Sequence, residues 1–511
     1  MLVWAAFAFY CLAVAAPLLL LHFCHNRERR THSKLLPPPG PPGWPVVGNL
    51  FDVGYKLQET FLELQQKHGA VFMLRLGAVN MVVIASASAA TELFKKHDLG
   101  FCNRHLMEVM KMGEDYNSAT VTRPVGPYWR MIRRLYATEL LSRTAVTNTE
   151  GSRRKCVQQM IQWVSAEGKE STSVELRHLL FVSLFNLMGN LLFSRDLLDL
   201  KSVDGNEFYR TMGEIVEITL KPNAADFFPW LRKLDLQNLN KRMKNATDTL
   251  INIIDGFAKE HRRHMDSVHK KDEVKDFWTV LQEFEGNGKD EPRKMSDRQI
   301  NLLIIELFVG STETTTSTIE WAMTELLRNP EVMQKVNTEI YHVIGYDRKI
   351  QESDIENLPY LSAVIKETMR LHPSTPFLVP RTVAKDTGFM GCMIPKGAQI
   401  MVNAWGIGRD LAVWSDPFTF DPDRFLGTDI DYRGQHFGLI PFGSGRRICP
   451  GLSMAHQVLH IMLGSLLQSF DWALESGVTP ETIDMGEALG ITLRKSIPLK
   501  VIPTPSALAK H

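Results

Sequence analysis

Hydrophobic and polar positions change period several times along the chain. Leu2–Leu21 is an uncharged run rich in Ala, Leu and Phe. At ~1.5 Å per residue, a helix of that length crosses a hydrocarbon core of ~30 Å. Met1–Tyr10 holds no Lys or Arg, whereas Arg27, Arg29, Arg30 and Lys34 follow the run directly. The pattern predicts an uncleaved signal anchor that spans a membrane once, with everything after residue 25 facing the cytoplasm. The prolines of Leu36–Pro45 then exclude helix and sheet and predict a stiff extended spacer. Val71–Leu76 and Met81–Ala85 flank Gly77-Ala-Val-Asn80 as a β-hairpin. From Ser86 to about residue 370 the spacing is helical, and short strands return near Ala398–Val402 and Leu489–Ile502. The chain thus divides into a transmembrane segment at 1–24, a basic and Pro-rich linker at 25–45, and a body at 46–511. That body is mainly α with a small β-rich subdomain.

The longest helical pattern is sharply bounded. Ser296-Asp-Arg-Gln299 is a capping box, the largely apolar run Ile300–Val309 follows, and the pattern stops before Pro330. In its middle lies Gly310-Ser311-Thr312-Glu313-Thr314-Thr315. An acid and several hydroxyls inside an apolar helix need partners, and hydroxyls that compete for the carbonyl one turn back predict a local widening here. The widened stretch would form a polar notch.

Charge and cysteine content narrow the function. Lys+Arg 58 against Asp+Glu 57 gives a net charge of +1, so charge predicts no nucleic-acid partner. The six cysteines, Cys11, Cys24, Cys102, Cys156, Cys392 and Cys449, are scattered and form no CxxC pair, which fits a reducing compartment. Cys449 stands apart because of its setting, Phe442-Gly-Ser-Gly445-Arg-Arg447-Ile-Cys449-Pro-Gly451. Glycines let such a loop approach a flat cofactor closely, and Arg446 and Arg447 would favour thiolate over thiol. Phe442 could pack on a macrocycle face. The spacing F-x-x-G-x-R-x-C-x-G resembles the haem-ligand signature of the cytochrome P-450 monooxygenases.

That resemblance extends from end to end and implies the cytochrome P-450 fold with haem b as cofactor. Cys449 would be the axial ligand of the haem iron. The cluster at 310–315 resembles the family's oxygen-activation motif, with Thr314 and Glu313 as the groups that route protons toward dioxygen; Ser311 replaces the usual glycine. Trp129 and Arg133 resemble the WxxxR whose indole N–H and guanidinium bind a haem propionate, with Arg381 and Arg447 as further partners. Glu367 and Arg370, with Phe420-Asp-Pro-Asp-Arg424-Phe425, resemble the ExxR and PERF elements, a buried structural network; Asp423 stands where that pattern has Glu. Arg130 and Arg134 fit either simple solvation or a basic patch for an acidic reductase. By resemblance the substrate contacts come from Leu307, Phe308, Phe377, Leu378, Val379, Leu489 and Ile491, which implies a small hydrophobic substrate.

The Pro-rich hinge, PFGSGRRICPG and EWAMTELLRNP look most like plant microsomal members of the geraniol/iridoid-oxidising branch. This implies a terpenoid substrate, dioxygen, membrane lipid, and NADPH–cytochrome P-450 reductase as the source of electrons from NADPH. Benzylisoquinoline-type alkaloids and phenolics are the alternative substrates. A haem-thiolate isomerase or dehydratase needing no reductase, a non-enzymatic haem protein and a membrane scaffold are the rival classes. The sequon Asn245-Ala-Thr247 is expected to stay unmodified in a cytoplasmic body. His261 and His264, in a Lys/Arg-rich stretch, read as a solvated face.

Overall fold

Hydrogen bonding and burial follow the predicted pattern over most of the chain. The computed structural model describes residues 35–54, 56–111, 119–170, 173–200, 203–267, 275–345, 348–490 and 492–506. The anchor Leu2–Leu21, its basic flank and Ile491 lie outside these residues. The helices that position the site are α1 (Pro127–Leu135), α2 (Leu176–Phe193), α3 (Asp297–Arg328), α4 (Pro359–Leu371) and α5 (Leu452–Ser469).

α3 is the axle of the body. Its capping box is formed: the Ser296 hydroxyl accepts from the Gln299 N–H at 3.2 Å, and the Gln299 side chain accepts from the Ser296 N–H at 3.0 Å. The helix runs 32 residues without interruption. α2 packs along it and is apolar all round, as a helix surrounded by core should be. With a mean hydropathy of 1.4 over 18 residues, α2 is apolar and long enough to cross a membrane, yet it is 89% buried inside the body. Phe185 of α2 stacks on Phe308 of α3 with centroids 4.3 Å apart.

The β-rich part is a five-stranded sheet of β1 (Val71–Leu76), β2 (Val79–Ile84), β3 (Asn103–Arg104), β4 (Arg381–Thr382) and β5 (Gln399–Val402), in the order β1-β2-β5-β4-β3. β1 and β2 form the predicted hairpin, with Val71 opposite Ile84. A separate hairpin, β6 (Glu487–Leu489) with β7 (Leu493–Lys495), pairs Ala488 with Arg494. The Pro-rich spacer lies against the body: the Pro39 carbonyl accepts from the Met73 N–H of β1 (2.8 Å), and the Leu36 carbonyl from the N–H of Met393 (2.7 Å) in a separate short strand, Cys392–Ile394.

Glu367 and Arg370 of α4 form the expected network, fully buried. Arg370 donates to both Glu367 oxygens at 2.6 and 2.7 Å, and to the carbonyls of Gly408, Pro417 (2.7 Å) and Thr419 (3.1 Å). Arg424 adds a bond to Glu367 at 3.1 Å. These bonds fix the irregular stretch from Gly408 to Arg424 that leads to the Cys449 loop.

His261 departs from its sequence reading. It is buried rather than solvated, with Nε2 2.9 Å from an Asp276 oxygen and its ring edge-on to Trp278. A Lys/Arg-rich helix has solvent on only one side, and His261 falls on the other; His264 is exposed as read.

Replacing Arg370 by Leu strips Glu367 of its principal counter-charge inside the core. The expected loss is ~3–5 kcal/mol, read as a lowered urea midpoint for the purified protein; a midpoint within error of wild type would show that the network is not a major stabiliser.

Candidate active site

Cys449 leads into α5 from a loop whose backbone only glycine adopts readily. Gly443 and Gly445 have φ of 69° and 70°, and a Cβ on Gly445 would lie 2.5 Å from an Asp98 carboxylate oxygen. The loop closes on itself through the Cys449 N–H, which donates to the Phe442 carbonyl at 3.0 Å. Phe442 is half-buried and tilts against Tyr432 at 5.4 Å. Burial pushes the Cys449 thiol up from its ordinary value, opposed by the Gly451 N–H and the Arg133 guanidinium.

The source of positive charge therefore differs from the sequence expectation. Arg446 turns outward to Asp98 at 3.3 Å. Arg447 donates to the carbonyls of Cys102 (2.9 Å), Thr120 (2.8 Å) and Arg123. Both are drawn from the sulfur by acceptors that sequence proximity cannot reveal, and Arg133 of α1 acts in their place.

Trp129, Arg133, Arg381 and Arg447 come together as the motifs suggested. The Arg447 and Arg133 guanidiniums lie 4.8 and 5.7 Å from the centre of the Trp129 ring. Arg381 bonds to Asp98 at 3.0 Å and to the Ser444 carbonyl at 3.1 Å. A fourth cation, Arg104, was not singled out from sequence as a cofactor residue. The β3–β4 register places it directly opposite Arg381. Burial, then the other guanidiniums, pull Arg104 well below its ordinary range. Burial likewise lowers Arg381 and Arg133, and brings Arg447 down to about 10.

Like charges directly opposite on paired strands are unfavourable. Here two buried guanidiniums, Arg381 and Arg447, and two half-buried ones, Arg104 and Arg133, face two nearby carboxylates, Asp98 and Glu306. That surplus of positive charge suits an anionic ligand, and the two propionates of haem b match it in sign and number. The sequence signal for Arg104 was slight, a cation shortly after the apolar pair Phe101 and Cys102.

The cluster Gly310–Thr315 lies in the middle of α3. A side chain at Gly310 would meet no atom within 4 Å, so the helix is open there. The predicted widening does not interrupt the helix. Instead the hydroxyls of Ser311, Thr312 and Thr314 donate to the carbonyls of Leu307 (2.7 Å), Phe308 (2.7 Å) and Gly310 (2.8 Å), one turn back. Glu313 is half-buried and pairs with Arg494 of β7 at 3.2 Å.

The apolar candidates separate. Leu378 and Leu489 are half-buried, and Val379 is exposed; Leu378, in the left-handed region at φ 50°, lies 3.7 Å from the Cβ position of Gly443. Leu307 is also half-buried, packed on the core. Phe308 and Phe377 are core residues instead. Phe308 faces α2, and Phe377 tilts against Phe61 with centroids 5.2 Å apart. Arg130 is exposed, and Arg134 pairs with Glu291 at 3.0 Å.

The cytochrome P450 family model matches residues 38–501. The chain belongs to the cytochrome P450 family. It is 44% identical over 501 residues to cytochrome P450 76A2 of Solanum melongena, covering 98% of both chains. It is 45% identical over 497 residues to an iridoid oxidase of Catharanthus roseus, covering 96% of both. With geraniol 8-hydroxylase of the same plant the identity is 38% over 467 residues, 91% of this chain and 94% of the other. This cytochrome P450 is a monooxygenase that uses haem b and electrons passed from NADPH by a reductase.

Gly445→Ala would force a Cβ into both a left-handed backbone and the Asp98 carboxylate that holds Arg381. The expected loss is about 1–3 kcal/mol, measured by urea unfolding; an unchanged midpoint would mean that the loop relaxes freely.

Proposed function

We propose that this cytochrome P450 hydroxylates a small, hydrophobic terpenoid. The observation that carries this reading is 45% identity to an iridoid oxidase over nearly the whole chain. The half-buried Leu378 beside the Cys449 loop agrees with it, since it offers an uncharged surface to an uncharged substrate.

In this reading Cys449 supplies the thiolate ligand, and Arg104, Arg133, Arg381, Arg447 and the Trp129 indole hold the propionates. Phe442 packs beside the ring. Bound in this way, haem b supplies dioxygen activation and oxidation of a C–H bond. The protein's own part is orientation, exclusion of water and delivery of protons. The Thr314 hydroxyl already donates to the Gly310 carbonyl beside the open stretch of α3. Rotation would let it accept a proton from the Glu313 side and donate toward the pocket. Glu313 reaches half-exposed Arg494, so its carboxyl can exchange protons with water.

The same reading anchors the protein in the endoplasmic reticulum membrane by residues 1–24, through the linker at 25–45, with the body at 46–511 in the cytoplasm. Its support is an apolar surface on the side where the described chain begins. Leu36, Trp44 and Phe51 are exposed, as are Trp230, Leu234 and Leu236. Hydrogen bonds from Gly77 to Val47 (3.0 Å) and from Ala78 to Phe227 (2.8 Å) tie those two segments together.

The test is turnover by microsomes holding this protein, its reductase and NADPH, offered geraniol, other monoterpenols and a benzylisoquinoline alkaloid in parallel. Hydroxylated terpenoid is expected; turnover of the alkaloid alone would overturn the assignment. Cys449→Ser should abolish the thiolate-type Soret band of the reduced carbon-monoxide complex. Thr314→Ala should keep that band while forming less product per NADPH consumed.

A further inference from the structure

Resting on the monooxygenase reading, we propose that Glu306 is a positioning residue whose carboxylate fastens the Thr120–Arg123 segment to α3 and thereby shapes one wall of the substrate pocket. Glu306 precedes Gly310 by one helical turn, so it shares the face of α3 that is open at Gly310. One carboxylate oxygen accepts the Thr120 N–H at 2.8 Å. The other accepts the Val121 N–H at 2.8 Å together with the Thr120 hydroxyl.

The carbonyls of the same segment are held by guanidiniums. Arg447 donates to Thr120 (2.8 Å) and to Arg123, and Arg104 donates to Val121 at 3.2 Å. The segment forms no strand, so these bonds stand in for a ladder. It joins α3, the Cys449 loop and β3 at one point.

The chemistry of the acceptor matters. Three donors converge on one side chain, and only an ionised carboxylate offers acceptors alone. Burial pushes the Glu306 carboxyl up, and the three donors oppose that shift. With both oxygens engaged, Glu306 acts through the segment it holds and is not free to pair with a cationic substrate. The shape of the wall is then the property it controls.

Glu306→Gln sets an amide NH2 against donors and should release the segment. Hydrogen–deuterium exchange of the peptide covering residues 119–123, in the full-length protein, is expected to be about tenfold faster. With geraniol as probe, KM should rise about tenfold while kcat changes less than about threefold, and the ratio of hydroxylated products should shift. The reduced carbon-monoxide spectrum should stay thiolate-type. Exchange at the wild-type rate would overturn the proposal, as would equal losses in kcat and KM with an unchanged product ratio. Should Glu306→Gln fail to fold, Thr120→Val removes only the hydroxyl bond and should move exchange in the same direction by a smaller factor; no change there would also overturn it. Exchange needs no turnover, so failure of every terpenoid would count against the substrate assignment and leave the latch decided separately.

Discussion

A buried guanidinium that keeps its charge must find acceptors for a planar fork of five N–H donors. This protein meets that constraint repeatedly with the carbonyls of irregular chain. Arg370 gathers Gly408, Pro417 and Thr419, while Arg447 gathers Cys102, Thr120 and Arg123. None of these carbonyls needs a strand ladder, because the arginines supply the missing donors. The loops around the site are therefore fixed by cations at their centres, not by secondary structure of their own. Losing one such arginine would orphan several buried carbonyls at once, which makes each a structural hub.

The two arginine systems differ in charge balance, and the difference separates frame from site. Arg370 and Arg424 share Glu367, and an Asp421 oxygen lies 3.9 Å from Arg424, so two carboxylates balance two cations there. The group of Arg104, Arg133, Arg381 and Arg447 is under-neutralised, with Arg104 and Arg381 directly opposite across a strand pair. A fold tolerates such local conflict chiefly where a ligand resolves it. The surplus charge thus marks the position of an anionic group more directly than any single motif does. It also explains why the frame must be rigid, since the repulsion would otherwise spread β3 from β4.

Local signals were legible in the sequence where local physics dominates. The capping box at Ser296 and Gln299, the hairpin around Gly77 and the ExxR pair at Glu367 and Arg370 each depend on residues a few positions apart. What the sequence left hidden depends on pairing across hundreds of residues. Arg104 meets Arg381 only through strand register, and Glu306 meets Thr120 only after the long helix crosses the body. Faces were the other difficulty. Phe308 and Phe377 sit in segments that border the site, yet their side chains point into aromatic core, because periodicity gives the spacing of a face and not its neighbour.

The same face argument settles what Ser311 does in place of the usual glycine. Phe308 locks one side of α3 onto α2, while Glu306, Gly310 and Glu313, near-multiples of a turn apart, lie on the other. Ser311 falls between these faces, and its hydroxyl is spent on the Leu307 carbonyl at 2.7 Å. A hydroxyl turned back onto its own helix adds no free donor to the groove. The departure from the family pattern is thus one of volume, a single Cβ and oxygen against the helix, and not of polarity. In the proposed reading, proton supply at this turn then falls to Thr314 and Glu313, and the shape of the pocket to the residues that Glu306 and the arginines hold in place.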